Sequence, residues 1–401
     1  MDTTKAKKPQ LVTNITVGER GRLSTDEIRT LAKNDPKGFM EKVDLAIKRG
    51  DLTLAKVQDL PGIFRALSDV QIPVVMDIGA GAQRSIMASA FPLFTGNLVV
   101  AAINAAYEAV PTIGEELVED MEDNKRVTII GSIHSLDTKV DSVKEADDFP
   151  EIGATAEKYE IRNKRNGRKL KITMEAIEEN NIADIVNRVN ALGEIAADAV
   201  EEQTLDRVTD RYGSAGSPAE PYVFRPDGVG TQLYNSTANS PGERAPNGTR
   251  KGSNALVDET DLENARAVLA SMRNSRGKRI VIPMSRCLLV VPDALVGKAS
   301  KILNSELVPG TENEINNWGP RGRYQPKLVS SPKLDDISTS DWYLGDFKRQ
   351  FRRKWKLKFE YVTLAGDQQA FLDRRIAFQA RVGWDVEVGA VDYVNVCQSQ
   401  A

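Results

Sequence analysis

Apolar positions along this chain follow two periods, and the switch between them divides it into parts. Near the start the period is helical. Ser24 and Glu27 have the spacing of a capping box before Ile28 and Leu31, and Asp35 with Pro36 opens a second helix carrying Phe39, Val43, Ala46 and Ile47 on one face until Gly50. An amphipathic stretch over 54–67 is broken by Pro61 and Gly62, so residues 1–125 read as an N-terminal arm carrying short helices.

From Arg126 the period becomes two. Val127, Ile129 and Ile133 alternate, a polar run follows over 141–153, and the chain returns through Tyr159 and Ile161, then Leu170 and Ile172, with Lys and Arg mostly on the outward positions. Asn166 with Gly167 fits either a tight hairpin turn or a glycine bulge in one continuous strand, and the period alone leaves both open. A long helix is then predicted over about 175–210, because Ile182, Ile185, Val186, Val189, Leu192, Ala196, Ala199 and Val200 recur at helical spacing. Its other face, with Glu194, Asp198, Glu201 and Glu202, is expected in solvent or against basic groups of a neighbour.

Residues 212–254, rich in Gly, Pro, Ser and Asn, read as a long loop or insertion. Thr260 and Glu263 then suggest a capping box for a helix burying Leu262, Ala265, Val268, Leu269 and Met272. RIVIP and CLLVVP read as strands, and Asp293 as the cap of a third helix through Leu303, together a small α/β domain. Near the end, Trp355, Leu357, Phe359 and Tyr361 alternate with Lys356, Lys358 and Glu360, and Ile376, Phe378, Ala380, Val382, Trp384, Val386 and Val388 hold a period of two. Such long strands need partners along their length.

The stretch from Arg126 to Lys171 carries too few apolar residues for a core of its own. It gains burial only on something else, which points to a subunit completed by its neighbours in an assembly. The length of 401 residues calls for two or three modules. With 54 basic against 57 acidic residues, net −3, the overall balance does not mark a nucleic-acid binder. Cys287 and Cys397 lie far apart, and Cys287 in its apolar run reads as a small hydrophobe, consistent with a reducing compartment. The first residues lack the apolar core of a secretory signal, so the sequons at Asn14, Asn235 and Asn247 are expected to carry no sugar. Residues 85–107 contain no charge, long enough to raise a membrane span, but Pro92, Gly96, Asn97 and Asn104 interrupt the run and its flanks lack a clear excess of positive charge. A buried or subunit-contact segment is expected, with no membrane partner.

Little in the chain suggests catalysis. The one histidine, His134, leaves His-based metal sites and triads without ligands. Gly79 and Gly81 begin a dinucleotide fingerprint that fails at Arg84, with no clear strand before it, and Gly297, Lys298 and Ser300 only approximate a phosphate loop. No catalytic residue, metal or cofactor is predicted. Charge is local instead. The acidic cluster Glu115, Glu116, Glu119, Asp120, Glu122 and Asp123 reads as a solvated helix face, and the basic cluster Lys348, Arg349, Arg352, Arg353, Lys354, Lys356 and Lys358 suits either sequence-neutral phosphate contact or salt bridges between subunits. Glu115, Glu116, Glu119, Asp120, Arg349, Arg352 and Arg353 are therefore candidate subunit contacts, as are Lys158, Arg162, Arg165 and Arg168 on the return strand.

In segment order and local wording the chain resembles the major capsid proteins of tailed bacteriophages, with the Hong Kong 97 fold. NGRKLKITMEAIEEN looks like the end of that family's extended loop (E-loop) entering its spine helix; ENARAVLASMRN with GKRIVIPMSRCLLVVPDALVGKASKIL looks like its axial (A) domain; DWYLGDF, KFEYVTLAGD and RIAFQARVGWDVEVGAVDYVNV look like its closing strands. The likeness runs from about Arg126 to Asn395. It implies an α+β, Hong Kong 97-like fold: N-terminal arm 1–125, E-loop and flanking strands 126–174, the spine helix of the peripheral (P) domain 175–212, A domain 213–345 with an insertion at 213–258, and closing strands 346–401 returning to the P domain. On this resemblance NGRKLKIT is one continuous strand. The resemblance further implies a homo-oligomer of pentameric and hexameric capsomers closing into an icosahedral shell around double-stranded DNA, assembled in the host cytoplasm and located in the virion capsid. Scaffold, maturation protease and portal would be its partners. Encapsulin compartments share the fold and are the alternative; an enzyme of unknown class and a basic-patch DNA-binding protein stand further off.

Overall fold

The computed structural model describes residues 30, 32–50, 52–53, 67, 71–77, 83–131, 158–173, 175, 178–179, 182–211, 223–224, 230–231, 233–235, 244–274, 277–308, 314–365 and 376–401. The helix expected after Ser24, most of the 54–67 stretch, His134 and the polar run 141–153 lie outside them. By contacts the chain falls into two compact units: Met1–Pro111, Asn166–Asp198 and Phe359–Trp384 form one, and Thr112–Arg165, Ala199–Lys358 and Asp385–Ala401 the other.

In the first unit the helix signalled by Asp35 and Pro36 is present as Pro36–Lys48, capped by the Asp35 carboxylate, which accepts the Gly38 N–H at 3.0 Å. Phe39, Val43 and Ala46 are buried along the expected face, and Gly50, at φ 73°, ends it. Strands β1 (Gln71–Asp77) and β2 (Gln83–Ser89) pair antiparallel. A strand therefore does precede Gly79, contrary to the sequence reading, but a partner strand follows it where a dinucleotide site needs a helix. The uncharged run continues as the helix Ala90–Ala109, which buries Leu98, Val99 and Ile103. Among the described residues no helix is long and apolar enough to cross a membrane.

The predicted long helix begins later than Glu175. One hydrogen bond, from Glu179 N–H to the Glu175 carbonyl at 2.9 Å, marks a turn, and the continuous helix is Ile182–Thr209, 28 residues, about 42 Å long. Ile185, Val189, Leu192 and Ala196 are buried as the stripe requires. Gly193 lies on this face because nothing larger fits: a Cβ there would stand 2.5 Å from the Ile103 carbonyl oxygen and 2.8 Å from the Ala106 Cβ. The two helices pack at backbone distance.

Strands β3 (Glu119–Glu122), β4 (Val127–Gly131), β5 (Lys158–Arg162) and β6 (Lys164–Thr173) follow in chain order. β6 is continuous through Asn166 and Gly167, so the hairpin alternative is wrong. The glycine serves close approach, since a Cβ on it would meet the Val382 carbonyl oxygen at 2.7 Å.

In the second unit, β4 and β5 pair antiparallel from Val127 opposite Arg162 to Gly131 opposite Lys158. The short pairs β7 (Val223–Phe224) and β8 (Gly230–Thr231) come next, then β9 (Arg250–Lys251), β10 (Leu288–Pro292), β11 (Lys327–Ser331) and β12 (Trp342–Gly345). The chain ends with β13 (Phe351–Ala365), β14 (Ile376–Ala390) and β15 (Val396–Ser399). One sheet has the order β11, β10, β12, β15, β9, and another β3, β13, β14, β6. β10 is parallel to β11 and antiparallel to β12, and β15 closes on β12 and β9.

Several local expectations shift here. The helix Glu259–Ser271 is capped by Asp258 with Asp261, not by Thr260 with Glu263, though Leu262, Ala265, Val268, Leu269 and Met272 are buried as predicted. RIVIP contributes only a bridge between Arg279 and Arg273, and Val281 is 84% exposed, so one strand rather than two separates the helices. Asp293 is the first residue of the helix Asp293–Asn304 and not its cap; Asp335 accepts the Ala294 N–H instead. Gly297 and Lys298 lie inside that helix, which removes the phosphate-loop resemblance.

The Gly-rich segment is also more than a loop. Leu233, Tyr234 and Ala245 join the core, and the Arg244 guanidinium donates to both Asp392 carboxylate oxygens at 2.9 Å with both side chains fully buried. Cys287 and Cys397 are buried and unpaired with each other, the thiols pushed up to about 12 by burial.

Candidate subunit-contact surface

The acidic and basic clusters meet within one chain. β3 runs parallel to β13, with Glu119 opposite Arg352, Asp120 opposite Arg353 and Glu122 opposite Trp355. The acidic cluster is thus only partly helical: Glu115 and Glu116 open the short helix Gly114–Leu117, and Glu119 to Glu122 form an edge strand. Arg353 grips Asp120 through two parallel hydrogen bonds of 2.6 and 2.9 Å, and Trp355 adds its indole N–H at 3.1 Å. Burial works to raise the Asp120 carboxyl, but the Arg353 guanidinium, with Trp355 and Lys358, outweighs it and holds the group below its usual range. Arg352 pairs with Glu119 at 2.7 Å and Lys358 with Glu122 at 2.6 Å.

Simple alternation fails within β13. Arg353 is buried on the face of Trp355, but Lys354 between them is buried too, while Leu357, assigned inward from its period, is 37% exposed. Lys354 donates to the Lys125 carbonyl at 2.6 Å, and its burial lowers its pKa despite Asp123 and Asp385 nearby. Asn163, between β5 and β6, donates to the Lys354 and Asp385 carbonyls at 3.1 Å each. Beside it Ile161 is buried against Gly389, where a Cβ would stand 2.6 Å from its Cγ1. These contacts fix the root of the β4–β5 arm.

Glu201 is the sharpest departure from the sequence reading. Instead of lying in solvent or against basic groups of a neighbour, it is 2% exposed and accepts the N–H groups of Ile113 and Gly114 at 2.9 and 3.0 Å, capping the helix Gly114–Leu117. Burial raises its pKa, opposed by those two N–H groups and by Lys333 and Arg353. A signal existed in the sequence: Glu201 is four residues beyond Ala197 and eight beyond Gly193, on the buried stripe.

Below the paired clusters lies a cleft of about 600 Å³ lined by Glu116, Glu119, Arg286, Leu288, Lys327, Asp346, Phe347, Lys348, Arg349 and Arg352. Three of its cations are neutralised: Lys327 by Glu116 at 2.5 Å, Arg352 by Glu119 at 2.7 Å and Arg286 by Asp346 at 3.5 Å. Lys348 and Arg349, on the turn of helix Phe347–Gln350, have no ion pair among the described residues. The cleft is left with two surplus positive charges over an apolar floor. Four of the sequence-derived candidates, Glu116, Glu119, Arg349 and Arg352, are brought together here. Asp120 and Arg353 are committed to each other beside it, and Glu115 is exposed on the neighbouring turn. Arg162, Arg165 and Arg168 are exposed on the arm strands, and Lys158 opens β5 opposite Gly131, none of them lining the cleft. Arg286, Lys327 and Asp346 were missed, because each is isolated among unlike neighbours in the sequence. Among the described residues no group of three or more His, Cys, Asp or Glu is placed to hold a metal ion.

No curated protein matches the chain. Among solved structures it is similar to the capsid of cyanophage P-SCSP1u at 10% identity, over 73% of this chain and 88% of that one, with a TM-score of 0.46. The capsid of Ralstonia phage GP4 is similar at 10% identity over 71% and 86%, TM-score 0.43, and a virus-like particle from Pyrococcus furiosus at 8% over 75% and 96%, TM-score 0.40. The model of the phage capsid protein family matches residues 158–396, from the first residue of β5 to the first of β15; this is more than half of the chain, which belongs to that family and is a structural protein of the capsid.

Proposed function

We propose that this capsid protein is the major shell subunit, forming pentameric and hexameric capsomers that close into an icosahedral shell around double-stranded DNA. The observation that carries this is the β4–β5 arm. It is rooted in the second unit by Ile161 and Asn163, yet Ile129 on it remains 63% exposed, so the arm completes its burial only on another subunit. In this reading 126–174 is the E-loop with its strands, 175–212 the spine helix, 213–345 the A domain and 346–401 the closing strands, with 1–125 as the arm. The exposed cations Arg162, Arg165 and Arg168 are subunit contacts, and DNA is met by sequence-neutral charge. Assembly takes place in the host cytoplasm with a scaffold, a maturation protease and a portal.

The test is negative-stain electron microscopy of the protein expressed alone and purified by size exclusion. Closed shells, or rings of five and six, are expected. A protein that stays monomeric at high concentration, with and without a co-expressed scaffold, would overturn the proposal.

A further inference from the structure

The Phe347–Gln350 turn is anchored at both ends. Phe347 and Gln350 are fully buried: the Phe347 ring stacks on Phe351 with centroids 6.3 Å apart, while Gln350 accepts the Asn395 N–H on its side-chain oxygen at 2.9 Å and the Val391 N–H on its carbonyl at 2.7 Å. Between these anchors Lys348, which is exposed, and Arg349, half-buried, line the cleft. The other charges of the cleft are committed. Asp346 accepts the Arg349 backbone N–H at 3.4 Å on one carboxylate oxygen and meets Arg286 at 3.5 Å with the other. Arg352 holds Glu119 at 2.7 Å and also donates to the Lys348 and Phe351 carbonyls, and Lys327 holds Glu116 at 2.5 Å. Five cations against three carboxylates leave two positive charges, carried by adjacent side chains on a fixed turn beside Leu288.

We propose that this cleft binds the phosphate dianion of a small phosphorylated molecule, with Arg349 and Lys348 as the anion's ligands. A phosphate monoester carries a charge of about −1.5 to −2 near neutrality and presents three acceptor oxygens. The planar fork of Arg349 suits two of them, and the Lys348 ammonium suits the third as a point charge. A single carboxylate would leave one cation unmatched. A nucleic-acid backbone carries one charge per phosphate and continues past the turn, where Glu116, Glu119 and Asp346 line the same cleft. The volume of about 600 Å³ exceeds what the anion needs and lies in the range of small-molecule sites, roughly 300–1,000 Å³, with Leu288 and Phe347 offering apolar surface to an organic group. Because the turn is anchored before anything binds, little ordering opposes binding. All the lining residues belong to the second unit of one chain, so the site does not depend on the assembly reading.

The test is titration calorimetry on the full chain with adenosine 5′-monophosphate, adenosine and inorganic phosphate as probes, at low ionic strength. The monophosphate should bind saturably and raise the melting temperature by mass action. Adenosine should bind at least roughly tenfold more weakly, and K348Q/R349Q should lower the affinity for the monophosphate by a similar factor, the loss expected when hydrogen bonds to a charged group are removed. Arg168→Gln, an exposed cation that does not line the cleft, should leave that affinity unchanged. In the wild-type chain, inorganic phosphate should displace the nucleotide, a measurement that needs no variant. Phosphate bound as tightly as the nucleotide would support the dianion site and name the free ion as its ligand; weaker phosphate would support it and name a phosphorylated organic molecule. No saturable binding at millimolar nucleotide, adenosine bound as well as its monophosphate, nucleotide that phosphate fails to displace, or undiminished affinity in a K348Q/R349Q chain with the wild-type melt would each overturn the proposal. A short DNA duplex that binds through the same two residues, with the monophosphate failing to compete, would overturn it in favour of a nucleic-acid contact.

Discussion

Glu201 and Gly114 are fitted to each other: the carboxylate accepts the glycine N–H at 3.0 Å, and a Cβ on Gly114 would stand 2.6 Å from the same oxygen. The capped turn leads directly into β3, so this contact sets where Glu119 and Asp120 meet β13. Gly114→Ala is expected to push the carboxylate off its two donors and destabilise the subunit by about 1–3 kcal/mol, the cost of leaving buried N–H groups unpaired. Glu201→Gln should cost a similar amount, because an amide presents one acceptor and one wrongly placed donor. Urea denaturation of the unassembled subunit measures both. The two changes combined should cost less than their sum if they break the same contact.

Gly193 poses the opposite problem, a residue of poor helix propensity inside the longest helix. Alanine there gains about 1 kcal/mol of propensity. Against that, its methyl would lie 2.5 Å from the Ile103 carbonyl oxygen, a backbone atom that moves only with its helix. Gly193→Ala is expected to be net destabilising by about 1–3 kcal/mol, as overpacking generally is. A stable or improved melting temperature would show that the two helices separate at little cost.

What the sequence revealed follows from the range of each interaction. Phe39, Val43 and Ala46, or Leu262 through Met272, repeat at intervals set by their own helix, and their burial was legible. Position along an element was less so: Asp258 caps where Thr260 was expected because several cap-competent residues crowd 258–261 and the period does not choose among them. RIVIP has strand composition, yet Val281 has no strand beside it, since composition carries no information about neighbours. The partnership of Asp120 with Arg353 links positions 233 residues apart, so the sequence showed two charged clusters without their pairing. Charge and spacing alone group Glu201 with Glu194, Asp198 and Glu202 on the polar face, and Lys354 with the basic cluster, whereas the fold buries both and supplies N–H groups to the one and a carbonyl to the other.

Arg244 and Asp392 form a pair with no exposure to solvent, joined by two hydrogen bonds and lying beside the Tyr393 ring, whose centroid is 5.0 Å from the guanidinium carbon. Removing one partner strands the other charge in the core. Arg244→Met and Asp392→Asn should each destabilise by about 3–5 kcal/mol. Because the pair ties the Gly-rich segment to the turn after β14, limited proteolysis of either variant should cut first near residue 244. Unchanged denaturation midpoints would show that the pair contributes specificity without stability.

Asp210 should make the free subunit more stable in mild acid. It ends the long helix in left-handed geometry at φ 54°, and its carboxylate accepts the Leu233 N–H at 2.7 Å. Burial raises its pKa from 3.8 to about 6, opposed by the Leu233 and Tyr234 N–H groups and by Arg250 and Arg207. Between those two values the folded chain holds a proton that the unfolded chain has already released. Stability from this group is therefore complete below about pH 4 and is lost as pH rises through about 6, a difference of about 2–3 kcal/mol. Asparagine tolerates the left-handed backbone and keeps an acceptor for Leu233, so Asp210→Asn should fold and remove that part of the slope. The measurement is urea stability of wild type and variant at several pH values from 4 to 8, with the difference between the two curves isolating Asp210 from the other buried carboxyls, Glu201 among them. A difference that stays constant across the range would mean that Asp210 keeps an ordinary pKa in the folded chain.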